Sequence, residues 1–222
     1  MSKGGDLNKR GLPDMSKSEG DKAVATFSRI MAVGTFVLPG IGLAMGMGVH
    51  RLRANPKIDA KITLLAEHDL QWLYLAAFLF NRVVNWLNNY PMLHKSRVMR
   101  GKSGNLRANM YIYTTYNDAD RRAVLLDEEG DAGKYNRANR SLHHFIENVP
   151  AFCVGLLLAG FVYPLATFVA TCAFCAGRVL HQVEYSSSGY GAHAAGFLVA
   201  MFAGLAVDGM ILNAALKAGG WL

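Results

Sequence analysis

Two short helical stripes of ionisable side chains hold whatever chemistry this 222-residue chain can do. In the first, Arg140, His144 and Glu147 stand at i, i+4 and i+7, a single face at 3.6 residues per turn. In the second, Arg178, His181, Gln182 and Tyr185 stand at i, i+3, i+4 and i+7, again one face. Their number exceeds what one helix contact needs. Arginine forks match carboxylates bidentately, so a concave, partly cationic site of this make-up suits a small anionic ligand with carboxylates at its ends. The bland alternative is helix pairing alone: a buried ion pair needs no substrate, and histidines near an interface are often only hydrogen-bonders.

Both stripes lie inside apolar runs. The chain is 52% hydrophobic and 18% charged, with mean hydropathy +0.16; soluble domains carry about 25% charged residues. Runs of roughly 18 or more residues with few or no charges mark transmembrane helices, so the reading is an all-α, multi-pass integral membrane protein in a lipid bilayer. Five spans are expected, at about 23–49, 70–93, 139–162, 165–185 and 193–216. Pro39 should kink the first, and Gly42, Ala44, Gly46 and Gly48 make a small-residue ridge suited to close packing. Trp72, Tyr74, Trp86 and Tyr90 sit like interfacial anchors on the second. Arg51 and Arg53 keep a four-span alternative open, with a re-entrant or surface segment in place of the first span.

Lys and Arg crowd the N-terminal tail and the loop after span two, which places both on the cytosolic side. Spans three and four therefore carry their stripes beneath one membrane surface. At about 1.5 Å per residue, Glu147 lies roughly 10 Å below Arg140 and Arg178 roughly 10 Å below Tyr185, so the two are expected to pair.

Other features exclude more than they suggest. The net charge of +7 reads as basic loops; no basic run interleaves with aromatics, so nucleic acid is not an expected partner. No P-loop, G-x-G-x-x-G, H-E-x-x-H or G-x-S-x-G occurs. Cys153, Cys172 and Cys175 read as buried thiols. Asp127, Glu128, Glu129 and Asp131 read as a solvated turn, not a metal site. Arg82 with Asn81 and Asn85 makes a polar stripe in span two, either bundle glue or part of the site's wall. Asp208 is expected to partner Arg51 or Lys61.

The stretch NRANRSLHHFIENVP, followed about thirty residues later by AGRVLHQVEY, resembles the MAPEG superfamily of eicosanoid and glutathione metabolism. The first stretch is similar to its Arg-x-x-x-Asn-x-x-Glu motif leading into a proline. The second is similar to the Gly-Arg-x-x-His-x-x-x-Tyr stretch of microsomal glutathione transferase and prostaglandin E synthase. SGNLRANMYIY also looks family-like, and the likeness runs from about Leu70 to the C-terminus. It implies a four-helix up-and-down bundle with an extra N-terminal transmembrane helix. The organisation is then a polar tail over 1–22, the added span and linker over 23–62, and a bundle over 63–222 with a loop at 92–138. It also implies a homotrimer binding glutathione near the cytosolic face of an endoplasmic reticulum or other organelle membrane, mitochondrial and plastid membranes included.

Carried over, Arg140, Glu147, Arg178 and Tyr185 match glutathione-contacting positions, His181 matches a family histidine, and Gln182 shares their face. His144 stands where the family has asparagine. The arginine expected about nine residues beyond Tyr185, which assists thiolate formation, is missing. Ser186 and His193 are the groups that stand in its place as candidate catalysts. The resemblance implies a glutathione transferase or peroxidase acting on lipophilic electrophiles or hydroperoxides. The rival is a non-catalytic accessory subunit of a larger heteromeric membrane complex that keeps the scaffold, favoured by the missing arginine and the added span.

Overall fold

The computed structural model describes residues 12, 14–53, 55–98, 111–118 and 121–222. A long N-terminal helix comes first. It is built from α1 (Lys17–Ala32), a π-helical turn at Val33–Val37 and α2 (Leu38–Arg53). Ser16 starts it with a capping box: its hydroxyl accepts from the Glu19 amide while the Glu19 carboxylate accepts from the Ser16 amide at 2.9 Å. The kink expected at Pro39 takes the form of the π turn. Proline has no N–H to offer the preceding turn, and the Leu38 amide reaches back five residues to the Val33 carbonyl.

Then follow α3 (Pro56–Glu67), α4 (Gln71–Asn89), α5 (Pro91–Val98), a hairpin of β1 (Tyr113–Asp118) and β2 (Arg121–Leu126), α6 (Gly130–Val162), α7 (Pro164–Ser188) and α8 (Ala194–Ala218). Among the described residues, four helices are long and apolar enough to cross a membrane: Lys17–Arg53, Gly130–Val162, Pro164–Ser188 and Ala194–Ala218. The chain is an all-α integral membrane protein with one small hairpin attached. Arg97 of α5 lies 3.0 Å from Asp21 of α1, so the start of the first span and the end of α4 share a face. α4, expected as the second of five spans, is not among the four, because Gln71, Asn81, Arg82, Asn85, Asn88 and Asn89 lower its hydropathy.

The bundle of α4, α6, α7 and α8 packs on aromatic rings and missing side chains. Phe152 of α6 stacks on Phe174 of α7 at 3.8 Å between centroids, and Phe80 of α4 meets Phe152 at 5.1 Å. Where α7 crosses α8, Gly177 lies against Gly196. A Cβ on Gly177 would stand 2.6 Å from the Ala200 nitrogen and 2.8 Å from the Gly196 oxygen. Small residues permit such close approach in a membrane, where packing replaces the hydrophobic effect.

Several expectations change here. α6 begins at Gly130, so the loop expected over 92–138 is shorter, and part of it is the antiparallel hairpin with Tyr113 opposite Leu126. Asn136 anchors that hairpin. Its side-chain oxygen accepts from the Ile112 amide at 2.9 Å, and its amide donates to the Ile112 and Asp127 carbonyls, each at 2.7 Å. Asp127 is consequently buried, not solvated, and its carboxylate accepts from the Glu129 amide at the head of α6. The glycine ridge of α2 has no neighbour among the described residues: a Cβ on Gly42, Gly46 or Gly48 would meet nothing within 4 Å. All three cysteines are free, with Cys175 buried. Among the described residues, no group of three or more His, Cys, Asp or Glu is placed to hold a metal ion.

The junction on the basic face carries its own pH dependence. His94 of α5 is edge-on to Tyr90 at 5.4 Å, and burial, reinforced by the nearby Lys134 charge, pushes its pKa from 6.5 down to about 4. The unfolded chain then takes up this proton first as the pH falls below 6.5. This share of stability is complete above pH 6.5 and lost between there and about pH 4. The loss should be on the order of 2 kcal/mol, discounted because the ring is partly exposed. Thermal unfolding in detergent should show it as a falling midpoint from pH 7 to pH 4.5, and His94→Gln should flatten that slope.

Candidate functional site

α6 and α7 run antiparallel and lock in register through three polar contacts. The Arg137 Nε–H donates to the Ser186 carbonyl at 3.3 Å, the Gln182 side-chain amide to the Ala138 carbonyl at 2.9 Å, and an Arg178 Nη2–H to the Ser141 carbonyl at 3.3 Å. Above α8, the turn after Ser188 brings His193 back over α7. Its ring lies edge-on to His181 and to Tyr185, each at 4.9 Å between centroids.

The result is two neighbouring cavities, one of about 380 Å³ and a smaller one of about 270 Å³. The smaller is lined by Arg140, Ser141, His144, His181, Tyr185, Tyr190, His193 and Phe197. The larger, more apolar groove shares His144 and Phe197, and adds Asn148, Phe152, Arg178 and Asp208 among others. Five sequence-derived candidates therefore converge on one space: Arg140, His144, His181, Tyr185 and His193. Arg178 joins them from the groove.

Arg178 organises the floor. It is 4% exposed, and its guanidinium lies 5.2 Å from the centre of the Phe145 ring. One Nη1–H donates to Nδ1 of His144 at 3.2 Å, which leaves Nε2 of that imidazole as the protonated nitrogen. His181 is stacked on His144 at 5.8 Å, and its Nδ1 is 2.8 Å from the Ser141 hydroxyl. Among the described residues, Arg178 Nε and His193 Nδ1 are buried with no hydrogen-bond partner. A tether holds the segment before β1 to α6: the Tyr111 hydroxyl and Nδ1 of His143 share a hydrogen bond at 2.8 Å, and burial raises that hydroxyl above its ordinary pKa of 10.0 despite the Arg140 charge.

Three candidates take other places. Glu147 does not pair with Arg178: it is exposed, and Arg178 bonds His144 and Ser141 instead. At 100° per residue, Ser141 and Phe145 lie round the helix from the Arg140–Glu147 stripe, and it is their side that α7 packs against. The register also sets Glu147 deeper than Arg178 by more than a turn. Gln182 is a buried strut between helices. Ser186 is fully buried, bonded to the Tyr90 hydroxyl at 3.1 Å and the Val183 carbonyl at 3.0 Å, outside the cavity. Ser186→Ala should therefore leave ligand affinity in the cavity unchanged and cost about 1 kcal/mol in a thermal melt. Asp208 faces the groove; among the described residues it makes no ion pair with Arg51 or Lys61.

Ser141, Tyr190, Phe197 and Tyr111 were not legible as site residues. Ser141 and Phe197 are ordinary helix residues until the crossing places them, and Tyr190 and Tyr111 belong to connecting segments without periodicity.

A sequence model of the MAPEG family matches residues 98–213, just over half of the chain. The chain belongs to the MAPEG family. No curated protein and no solved structure gives a match. The family match takes in the hairpin and α6 to α8, and with them every residue of the smaller cavity. α4 precedes it, so the likeness read from about Leu70 onward is longer than the family match. The long N-terminal helix also lies outside the match.

Proposed function

We propose that this MAPEG protein binds glutathione across the smaller cavity and the Arg178 end of the neighbouring groove, and directs its sulfur at apolar electrophiles that enter by that groove. One observation supports the reading above others. Residues from α6, α7 and the turn before α8 converge on a single cationic and imidazole-rich cavity that shares two walls with an apolar groove. The residues suit the ligand: Arg178 Nε and His193 Nδ1 are buried polar atoms without a partner among the described residues.

Glutathione, when bound, supplies the nucleophilic sulfur. Arg140 at the rim and Arg178 at the floor hold its carboxylates, and the protonated Nε2 of His144 donates a further hydrogen bond. His193 accepts the thiol proton on its unpaired Nδ1, and the imidazolium so formed stays beside the sulfur in place of the arginine usual in the family. The sulfur then bonds to the electrophilic carbon while the leaving group departs with the electron pair of its broken bond. At about 270 Å³ the cavity falls below the roughly 300–1,000 Å³ of sites that enclose a ligand, so a neighbouring copy in a homotrimer completes it. This reading goes with an endoplasmic reticulum or organelle membrane, the basic face toward the cytosol.

The test is glutathione conjugation to an apolar aryl halide by the full chain in nanodiscs. Turnover should saturate with glutathione, and His193→Gln should lower kcat about 100-fold with little change in KM. A rate equal to the protein-free background overturns the enzymatic reading. A second reading, an accessory subunit of a heteromeric membrane complex, is favoured by α2, which buries no residue within the chain.

A further inference from the structure

A second cationic cavity lies on the other flank of α4, where the N-terminal helix passes it. It measures about 640 Å³, and Arg29 from α1 and Arg82 from α4 both line it. Among the described residues, neither arginine has a carboxylate within 4.0 Å; Asp21 of α1 is paired with Arg97. Arg82 Nε is buried without a hydrogen-bond partner among the described residues. The neutral polar groups beside it are already engaged. Asn85 and Asn89 donate to their own helix at 2.8 Å, and Thr35 donates to the Met31 carbonyl at 2.7 Å.

Depth matters here. Arg82 precedes the end of α4 by seven residues, about 10 Å along the axis, and the cavity it shares with Arg29 is lined mainly by apolar residues. Isolated cations there are expensive and face partners or functional cavities. The wall is amphiphilic: Ile30, Val33 and Leu38 are exposed apolar residues that continue into the fully exposed flank of α2. The π turn shapes this wall, since Val33, Gly34 and Thr35 all belong to it.

We propose that the cavity is a site for an anionic phospholipid, its phosphate held between Arg29 and Arg82 and its acyl chains lying along α2. Two unneutralised cations call for an anion, and the apolar wall calls for one that carries hydrocarbon. The proposal is independent of the glutathione reading, whose residues lie on α6 to α8.

Trp86 lines the cavity and reports on it once the other two tryptophans are replaced, as Trp72→Phe and Trp221→Phe. The full chain is placed in nanodiscs containing brominated phosphatidylglycerol or brominated phosphatidylcholine, and Trp86 fluorescence is followed. The anionic lipid should half-quench at a mole fraction at least about fivefold lower than the zwitterionic one, and Arg29→Gln should reduce that preference about fivefold. Arg29 is exposed, so this variant does not disturb packing; Arg29→Gln with Arg82→Gln should abolish the preference. Inorganic phosphate should leave the quenching unchanged. Equal quenching by the two lipids, a preference that survives Arg29→Gln, or relief by inorganic phosphate overturns the proposal, the last by showing a water-borne anion in the site.

Discussion

Replacing Gly177 with alanine should lower the stability of the bundle by about 2–4 kcal/mol and abolish glutathione binding with it. The added Cβ would stand 2.6 Å from the Ala200 nitrogen and 2.8 Å from the Gly196 oxygen, and both are backbone atoms that no rotamer change can move aside. α7 and α8 must separate. His181 lies one turn beyond Gly177, and Phe197 follows Gly196, so separation opens the cavity at two of its walls. Gly196→Ala should act in the same direction, because its Cβ would lie 2.7 Å from the Gly177 oxygen. Gly209→Ala is the control: it belongs to α8 but meets nothing within 4 Å. Thermal unfolding in detergent should rank Gly177→Ala far below Gly209→Ala. Similar midpoints for the two would mean the crossing is looser than its backbone contacts imply.

Arg178→Met should separate binding from folding in the opposite way. The arginine is buried, with its charge set over Phe145 and no carboxylate within 4.0 Å among the described residues. Exchange of such a cation for an apolar side chain of similar length leaves stability unchanged or raises it. Glutathione affinity should nevertheless fall about 10- to 150-fold, the range for a hydrogen bond to a charged group. Two effects add: the charge is lost, and His144 loses the donor that fixes its protonated Nε2. Arg140→Gln at the exposed rim should weaken binding less and in a salt-dependent way. Asp208→Asn should not weaken it. An Arg178→Met protein that melts normally and binds glutathione as tightly as the native chain would remove Arg178 from the site.

Membership of an all-α membrane fold was legible because the evidence for it is local. Apolar runs and the spacing of polar residues on one helix face need no knowledge of neighbours. The stripes of α6 and α7 do meet, and Arg140, His144, His181 and Tyr185 share a cavity as their spacing suggests. Register was not legible. An α-helix face is wide enough that Arg140, His144 and Glu147 appear equivalent, yet α7 packs to one side of that stripe, against Ser141 and Phe145. Depth depends on which turn of α6 meets which turn of α7, and that is set by Gln182 reaching the Ala138 carbonyl and Arg137 reaching the Ser186 carbonyl. Either contact could be drawn one turn away from sequence alone. Ser186 illustrates the same limit: its partner Tyr90 is 96 positions distant. The hairpin escaped notice because its strands are exposed and mixed in polarity, and its anchor, Asn136, is one asparagine among many polar residues near the start of α6.

The central claim is that the cavity at the α6–α7–α8 junction is a glutathione site. Calorimetric titration of the full chain in detergent with glutathione tests it most directly. Saturable heat in the millimolar range or tighter, lost in Arg178→Met and retained in Ser186→Ala, is the predicted result. Absence of heat at millimolar glutathione, from a native chain that melts cooperatively, would contradict it.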